Sequence, residues 1–217
     1  MAKKALKRGI FITFEGPERC GKSTHSQLVV NTLRKLGYSV VYTREPGSTK
    51  LGDRIRELLL YSKNIEISPL AETLLFCASR AELVKKIIKP ALLKKKIVIS
   101  DRFSDATLVY QGYAGKVPLK DIKRIDEISV GGISPILTIV LDIDTKIGLK
   151  KIHPEKRDRM ESKRFSFHKK VRKGYLEMAR RNKKRIKVVR TKSRVGDTAR
   201  VVQKEVMNVI QKYKRAR

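Results

Sequence analysis

The sequence predicts an α/β fold with three layers, in which helices cover both faces of a five-stranded parallel sheet. Apolar, β-branched runs of strand length alternate with stretches of helical periodicity, as in chains built from strand–helix–strand units. The first run leads directly into the phosphate-binding pattern G-x-x-x-x-G-K-[ST], which a helical pattern follows. Together these observations predict a fold of the P-loop NTPase type. The 217 residues have room for a single domain, 1–217, and not for a second full one.

The predicted strands are short apolar runs, and the first is almost unbroken, as in a strand buried on both faces. They cover residues 10–14, 39–43, 97–100, 136–141 and 186–189. Apolar residues at helical spacing predict helices at 24–36, 51–59, 69–93, 104–112, 119–130, 145–152, 165–179 and 198–213. Gly37 is expected to end the first helix, and Pro90 to kink or divide the third.

The phosphate-binding pattern is the most specific motif in the chain. It consists of Gly16, Pro17, Glu18, Arg19, Cys20, Gly21, Lys22 and Ser23, with Thr24 next. Backbone N–H groups of such a loop and of the following helix favour an anion, Lys22 can reach the outer phosphates, and the Ser23 hydroxyl can hold Mg²⁺. An ordinary glycine turn between a strand and a helix is the alternative, but such a turn does not require Gly16, Gly21, Lys22 and Ser23 together. The loop therefore predicts a nucleoside triphosphate site.

Polar residues follow the apolar run of the second and third predicted strands. Arg44-Glu45-Pro46 follows the second, and Asp101-Arg102 follows the third. In open α/β sheets ligands bind at the carboxyl ends of strands. Asp101 suits a role linked to Mg²⁺ and Arg102 suits a phosphate, although the pair is equally compatible with a simple salt bridge.

Two further segments have more than one interpretation. Phe76 and Arg80 lie four residues apart and share a helix face, either as a core Phe with a solvated Arg or as a stacking face with a hydrogen-bonding cation for a nucleobase. Residues 153–163 begin with a charged stretch that is poor in apolar residues and contains a proline. They are expected to form a lid that closes over phosphates, with a solvated linker as the alternative.

Charge is unevenly distributed. The formal net charge is +31, and residues 145–217 hold 27 Lys+Arg against 6 Asp+Glu. Such a surface predicts non-specific, salt-dependent binding of polyanions, unless the excess is only a compositional lean on solvated faces. The two cysteines and three histidines form no zinc or disulfide pattern. No apolar run spans a membrane and no secretory signal begins the chain, so we expect a cytoplasmic protein.

Several short motifs, in order along nearly the whole chain, resemble those of bacterial-type thymidylate kinases. They are the phosphate loop, Thr43 to Gly47, Phe76 to Arg80, Asp101 to Phe103 with Tyr110 to Gly112, and Asp158 to Glu161. The resemblance implies transfer of a phosphoryl group from ATP to dTMP with Mg²⁺, in a homodimer.

The resemblance also implies roles for matching residues. Around dTMP, Phe76 would stack on thymine, Arg80 would bond its O4, Thr107 would face N3, Pro46 would line the methyl pocket, and Tyr110, with Gln111 beside it, would exclude a ribose 2′-hydroxyl. Arg102 would hold the dTMP phosphate with help from Arg44, and Glu18 would orient the sugar and phosphate region. Ser23, Asp101 and Glu161 would lie close to Mg²⁺.

The sequence departs from the family pattern at two places and leaves one role open. Ala106 stands where the family often has Ser, and Arg190-Thr191 stands where an Asp-Ala step often ends the last strand. Family members carry a catalytic Arg in the phosphate loop or in the lid, and this chain offers Arg19 in the loop and Arg157 and Arg159 in the lid.

Two other functions remain compatible with the sequence. One is a related kinase for another nucleoside or nucleotide, and the other is a nucleic-acid-binding P-loop protein. The second has the net charge in its favour, but the sequence contains no recognised binding module and no Trp.

Overall fold

The computed structural model describes residues 4–62, 64–153, 155 and 157–214. Within these ranges the strands are β1 (Ile10–Glu15), β2 (Val40–Arg44), β3 (Ile97–Asp101), β4 (Leu137–Asp142) and β5 (Ile186–Arg190). They form a sheet of order β2-β3-β1-β4-β5, and every neighbouring pair is parallel. The predicted α/β class with its five-stranded parallel sheet is confirmed.

The helices cover both faces of this sheet. They are α1 (Lys22–Lys35), α2 (Lys50–Leu60), α3 (Pro69–Leu83), α4 (Lys89–Leu93), α5 (Ser104–Thr107), α6 (Leu119–Val130), α7 (Thr145–Lys150), α8 (Phe165–Arg181) and α9 (Val195–Lys212). Two predicted helices contain π-helical turns, at Val84–Ile88 and Leu108–Tyr113. Pro90 lies in the first turn of α4, directly after the first π-turn, so the hydrogen-bond pattern changes next to this proline while the backbone stays helical.

The core explains the position of β1 at the centre of the sheet. All six of its residues are buried, and successive side chains point to opposite faces. Ile10, Ile12 and Phe14 pack in the cluster formed with α1 and α9, whereas Phe11 packs with the α3–α4 segment. Because β2, β3 and β1 are adjacent and parallel, their carboxyl ends lie side by side at one edge, where the phosphate loop begins.

Two expectations from the sequence concern membrane-spanning helices and the lid. None of the helices in the described ranges is long and apolar enough to cross a membrane. Positions 154 and 156 of the expected lid lie outside the described residues.

Candidate active site

A cavity of about 730 Å³ opens at the carboxyl ends of β1, β2 and β3. It has the size of a small-molecule site. Most of the predicted site residues line it: Glu18, Arg19, Gly21, Lys22, Ser23, Thr24, Arg44, Pro46, Phe76, Asp101, Arg102, Thr107, Tyr110, Gln111 and Glu161. The fold therefore brings together motifs that are far apart in sequence.

The phosphate loop wraps the start of α1 and needs its glycines. Gly16 has a φ of 137°, and a Cβ there would lie 2.3 Å from the Leu141 carbonyl oxygen. Gly21 also has a positive φ, 93°. Lys22 Nζ donates to the Gly16 and Pro17 carbonyl oxygens at 3.2 and 2.8 Å, so its ammonium group lies against the loop itself. Gly16, Pro17 and Cys20 shape the loop and are not among the residues lining the cavity.

Ser23 and Asp101 bring two oxygen atoms that can act as metal ligands close together beside the loop. The Ser23 hydroxyl donates to Asp101 Oδ2 at 2.5 Å. Glu161 lies in the same cavity but its carboxylate is bound by Arg19 Nε at 3.1 Å. In the described ranges no three His, Cys, Asp or Glu side chains converge as a metal centre. A hydroxyl and a carboxylate still fit Mg²⁺, because this ion keeps several waters and takes ligands from nucleotide phosphates.

Arg102 lines the cavity and is held by several side chains. Its φ of 69° is left-handed, a sparsely populated conformation for a residue other than glycine, and such residues cluster at functional sites. The guanidinium donates to the hydroxyls of Tyr110 and Tyr175 at 2.9 and 3.0 Å. It also contacts Glu18 at 3.2 Å. The side chain is only 18% exposed, so these contacts fix its direction.

Burial and charge separate the two glutamates of this cluster. Burial raises the pKa of Glu15 to about 8, even though Tyr175 O–H and the Phe103 N–H donate to it at 2.7 and 2.8 Å. Burial also acts to raise the pKa of Glu18, but the charges of Arg102 and Lys22 lower it to about 2. Glu18 is therefore the carboxylate that neutralises Arg102 at neutral pH.

Arg80 lies behind the cavity wall and is fully buried. The interpretation of Arg80 as a solvated cation is therefore wrong. Its guanidinium donates to both Glu45 and Thr107, and it also donates to Asp126 at 2.5 Å and Cys77 Sγ at 3.6 Å. Thr107 lines the cavity and Arg80 does not. All five N–H groups of Arg80 thus have protein acceptors.

The two lid arginines do not line the cavity. Arg159 donates from Nε to the Leu59 carbonyl oxygen at 3.0 Å and from Nη2 to Glu72 at 2.5 Å, so it binds this segment to α2 and α3. Arg157 Nε is buried without a hydrogen-bond acceptor among the described residues. Asp158 accepts the backbone N–H groups of Met160 and Glu161 at 2.8 Å each, which closes a turn over the cavity.

Other residues of the site were missed by sequence reasoning. They are Glu15 and Tyr175 beneath the cavity, and Tyr42, Arg56 and Lys151 in its lining. The position of Glu15, an acid at the end of a buried strand directly before the loop, was a usable signal. The sequence around Tyr175 contained no such signal, because an aromatic residue on the inner face of a helix is ordinarily interpreted as a core residue.

A parallel sheet with a phosphate loop after its central strand, and a fixed arginine in the adjoining cavity, define a P-loop nucleotide kinase. A family model described as thymidylate kinase matches residues 14–202. The chain belongs to the thymidylate kinase family.

Individual relatives agree with this assignment. The chain is 40% identical to the thymidylate kinase of Thermoanaerobacter sp. (strain X514) over 95% of its length and 99% of the relative. It is 44% identical to that of Caldanaerobacter subterraneus subsp. tengcongensis over 80% of its length and 83% of the relative. The crystal structure of thymidylate kinase from Ehrlichia chaffeensis is similar with a TM-score of 0.73 and 34% identity, covering 94% of this chain and 99% of that one.

Proposed function

We propose that the protein transfers the γ-phosphoryl group of ATP to the phosphate of dTMP, which yields ADP and dTDP. Family membership supports the reaction. The observation that carries it is a single cavity lined by a phosphate loop, by an aromatic side chain at Phe76 and by a partly buried arginine at Arg102. A donor triphosphate and an acceptor monophosphate can therefore occupy one space.

The loop side of the cavity is the proposed ATP site. The backbone of residues 16–24 surrounds the start of α1, which has no acidic residue in its first turn to repel an anion. Lys22 would exchange its two carbonyl contacts for phosphate oxygens. Ser23 and Asp101, with Glu161 nearby, would hold Mg²⁺ together with those phosphates, and the ion supplies neutralisation of phosphate charge.

The remaining cavity wall is the proposed dTMP site. Phe76, Pro46, Tyr110 and Gln111 all line it. Phe76 would supply a ring face for thymine, and Tyr110 and Gln111 would bound the sugar. Arg102 is the main phosphate ligand and Arg44, which is 56% exposed, the helper. Glu18 fixes Arg102 from one side.

Base recognition by Arg80 requires an exchange of partners. Because its N–H groups are all bonded within the protein, a bond to thymine O4 must replace one of them. Thr107 lines the cavity and accepts from Arg80, which supports its proposed contact with N3.

Phosphoryl transfer here needs positioning and charge neutralisation more than proton transfer, because the acceptor phosphate oxygen is already ionised. Lys22, Arg102 and one further arginine would surround the transferred group. Arg19 is favoured for that role, since it lines the cavity and is 47% exposed, whereas Arg159 is engaged with Glu72 and Arg157 lies outside the lining. Residues 153–163 would act as the lid that excludes water.

The test is a coupled ADP-release assay with dTMP, dUMP, dGMP and dCMP as acceptors. We expect dTMP to give the highest kcat/KM. A different preferred acceptor would assign the chain to a related nucleotide kinase, and the absence of acceptor-dependent ADP release would contradict kinase function. The homodimer and the cytoplasmic location stay predictions, and sedimentation analysis measures the first of them.

A further inference from the structure

The positive charge is concentrated around helix α8, whose buried Tyr175 belongs to the kinase site while its exposed face does not. Residues 163–194 contain 15 Lys+Arg and a single acidic residue, Glu177. Within this stretch α8 packs against α7 and supplies seven of the ten residues that line a groove of about 550 Å³. This α8 groove shares no lining residue with the active-site cavity.

The α8 groove is a basic stripe along one helix face. Its lining includes Lys169, Arg172, Lys173 and Arg180, whose spacing places them on one face of the helix. Phe165 lies at the amino-terminal end of this row. From Phe165 to Arg180 a helix advances about 23 Å, at about 1.5 Å per residue. The stripe is therefore long enough for several phosphates of an extended chain.

The acidic side chains of the groove are in contact with arginines. Glu177 is paired with Arg180 and with its neighbour Arg181 at 2.9 Å each. Asp144 lies 3.6 Å from Arg172, whose guanidinium also donates to Asp142 at 2.6 and 2.9 Å. Across the portion of the chain that the structure covers, the remaining groove lysines, at positions 146, 169 and 173, have no carboxylate partner. The groove thus keeps unpaired cations although it contains two acids.

Phe165 distinguishes this groove from a merely charged surface. Its side chain is 50% exposed, and Lys169 Nζ lies 6.0 Å from the ring centroid. An exposed aromatic ring at the end of a row of cations is the combination that binds unpaired bases and the phosphates between them. A duplex, whose bases are stacked on each other, cannot use the ring.

We propose that the α8 groove binds single-stranded nucleic acid, separately from phosphoryl transfer. Lys169 and Lys173 contact phosphates and Phe165 stacks on a base. Binding is independent of sequence and weakens with salt, because each released counterion contributes to the affinity. The kinase site remains available, since its lining lies elsewhere.

The experiment measures fluorescence anisotropy of a labelled oligothymidine of about 15 nucleotides against the full chain, from about 50 to about 200 mM KCl. Lys169→Glu/Lys173→Glu is expected to lower the affinity about tenfold or more and to flatten the salt dependence. Phe165→Ala is expected to lower it about fivefold without changing the salt slope, because stacking releases no counterions. The matched control is Lys204→Glu/Lys212→Glu on α9, which makes the same change in net charge at exposed positions.

Kinase activity and circular dichroism of each variant establish that it is folded. An equal loss in the α9 control would overturn the proposal, because binding would then follow net charge alone. So would an unaffected Phe165→Ala variant, a duplex bound as tightly as the single strand, or binding to anionic lipid vesicles without binding to the oligonucleotide. Inorganic polyphosphate is expected to displace the oligonucleotide from the wild type. Measured directly, its affinity is expected to be the same for wild type and Phe165→Ala, because polyphosphate has no base to stack on the ring.

Discussion

Glu18→Gln removes the charge that neutralises Arg102 while keeping the shape of the side chain. The folded-state pKa of Glu18 is about 2 against an ordinary value of 4.5. A depressed carboxyl pKa stabilises the folded state above the ordinary pKa, and this stabilisation is lost as the pH falls through the folded value. The variant should therefore differ from wild type most at neutral pH.

The size of the effect follows from the same pKa difference. Each pKa unit corresponds to about 1.4 kcal/mol, so 2.5 units give about 3 kcal/mol of folding free energy at pH 7. The side chain is 14% exposed, and little of this is lost to solvent screening. The contribution declines below about pH 4.5 and vanishes near pH 2.

Guanidinium chloride unfolding of both proteins from pH 7 to about pH 3 measures this difference. Glu66→Gln, at an exposed position outside the site, is the matched control and should change stability by less than about 0.5 kcal/mol. A Glu18→Gln penalty that stays constant over the whole pH range would refute the reasoning, because it would then come from packing and not from the ionised pair.

Two further predictions concern turnover. Lys22→Ala is expected to lower kcat by at least about a hundredfold with a native melting curve, whereas Lys35→Ala at the far end of the same helix should leave kcat unchanged; retained activity in the first variant would count against the assignment. Arg19→Ala is expected to lower kcat more than it raises KM, because the contact strengthens in the transition state, and steady-state kinetics with dTMP measure both. An unchanged kcat would transfer the role to Arg157, the lid arginine without a bound carboxylate among the described residues.

The sequence predicted the sheet well because its strands are buried on both faces. No strand end differs from its predicted position by more than one residue, and every observed strand runs one residue further at its carboxyl end. Ile10–Glu15 shows why, since the acid Glu15 continues an apolar run and is itself buried. The positions of the strands and of the phosphate loop can be predicted because each depends on a short, local pattern of residues.

The partners of single side chains were not predictable in the same way. Arg80 is bound by Glu45 and Asp126, which lie 35 and 46 residues away, and Tyr175 reaches Arg102 across 73 residues. Nothing in the spacing around Arg80 separates a buried, fully bonded guanidinium from a solvated one. Such contacts depend on how helices are placed on the sheet, and that is decided by packing of the whole chain.

Four cations of the active site are bound by acceptors of the protein itself. Arg102 is paired with Glu18, Arg19 with Glu161 and Arg44 with Asp53, while Lys22 lies on loop carbonyls. Ligand binding is therefore an exchange of one set of anions for another, and only a ligand that presents several correctly placed phosphates can complete it. In a chain with a net charge of +31, these cavity cations thus differ from the lysines of the α8 groove, which have no carboxylate partner among the described residues.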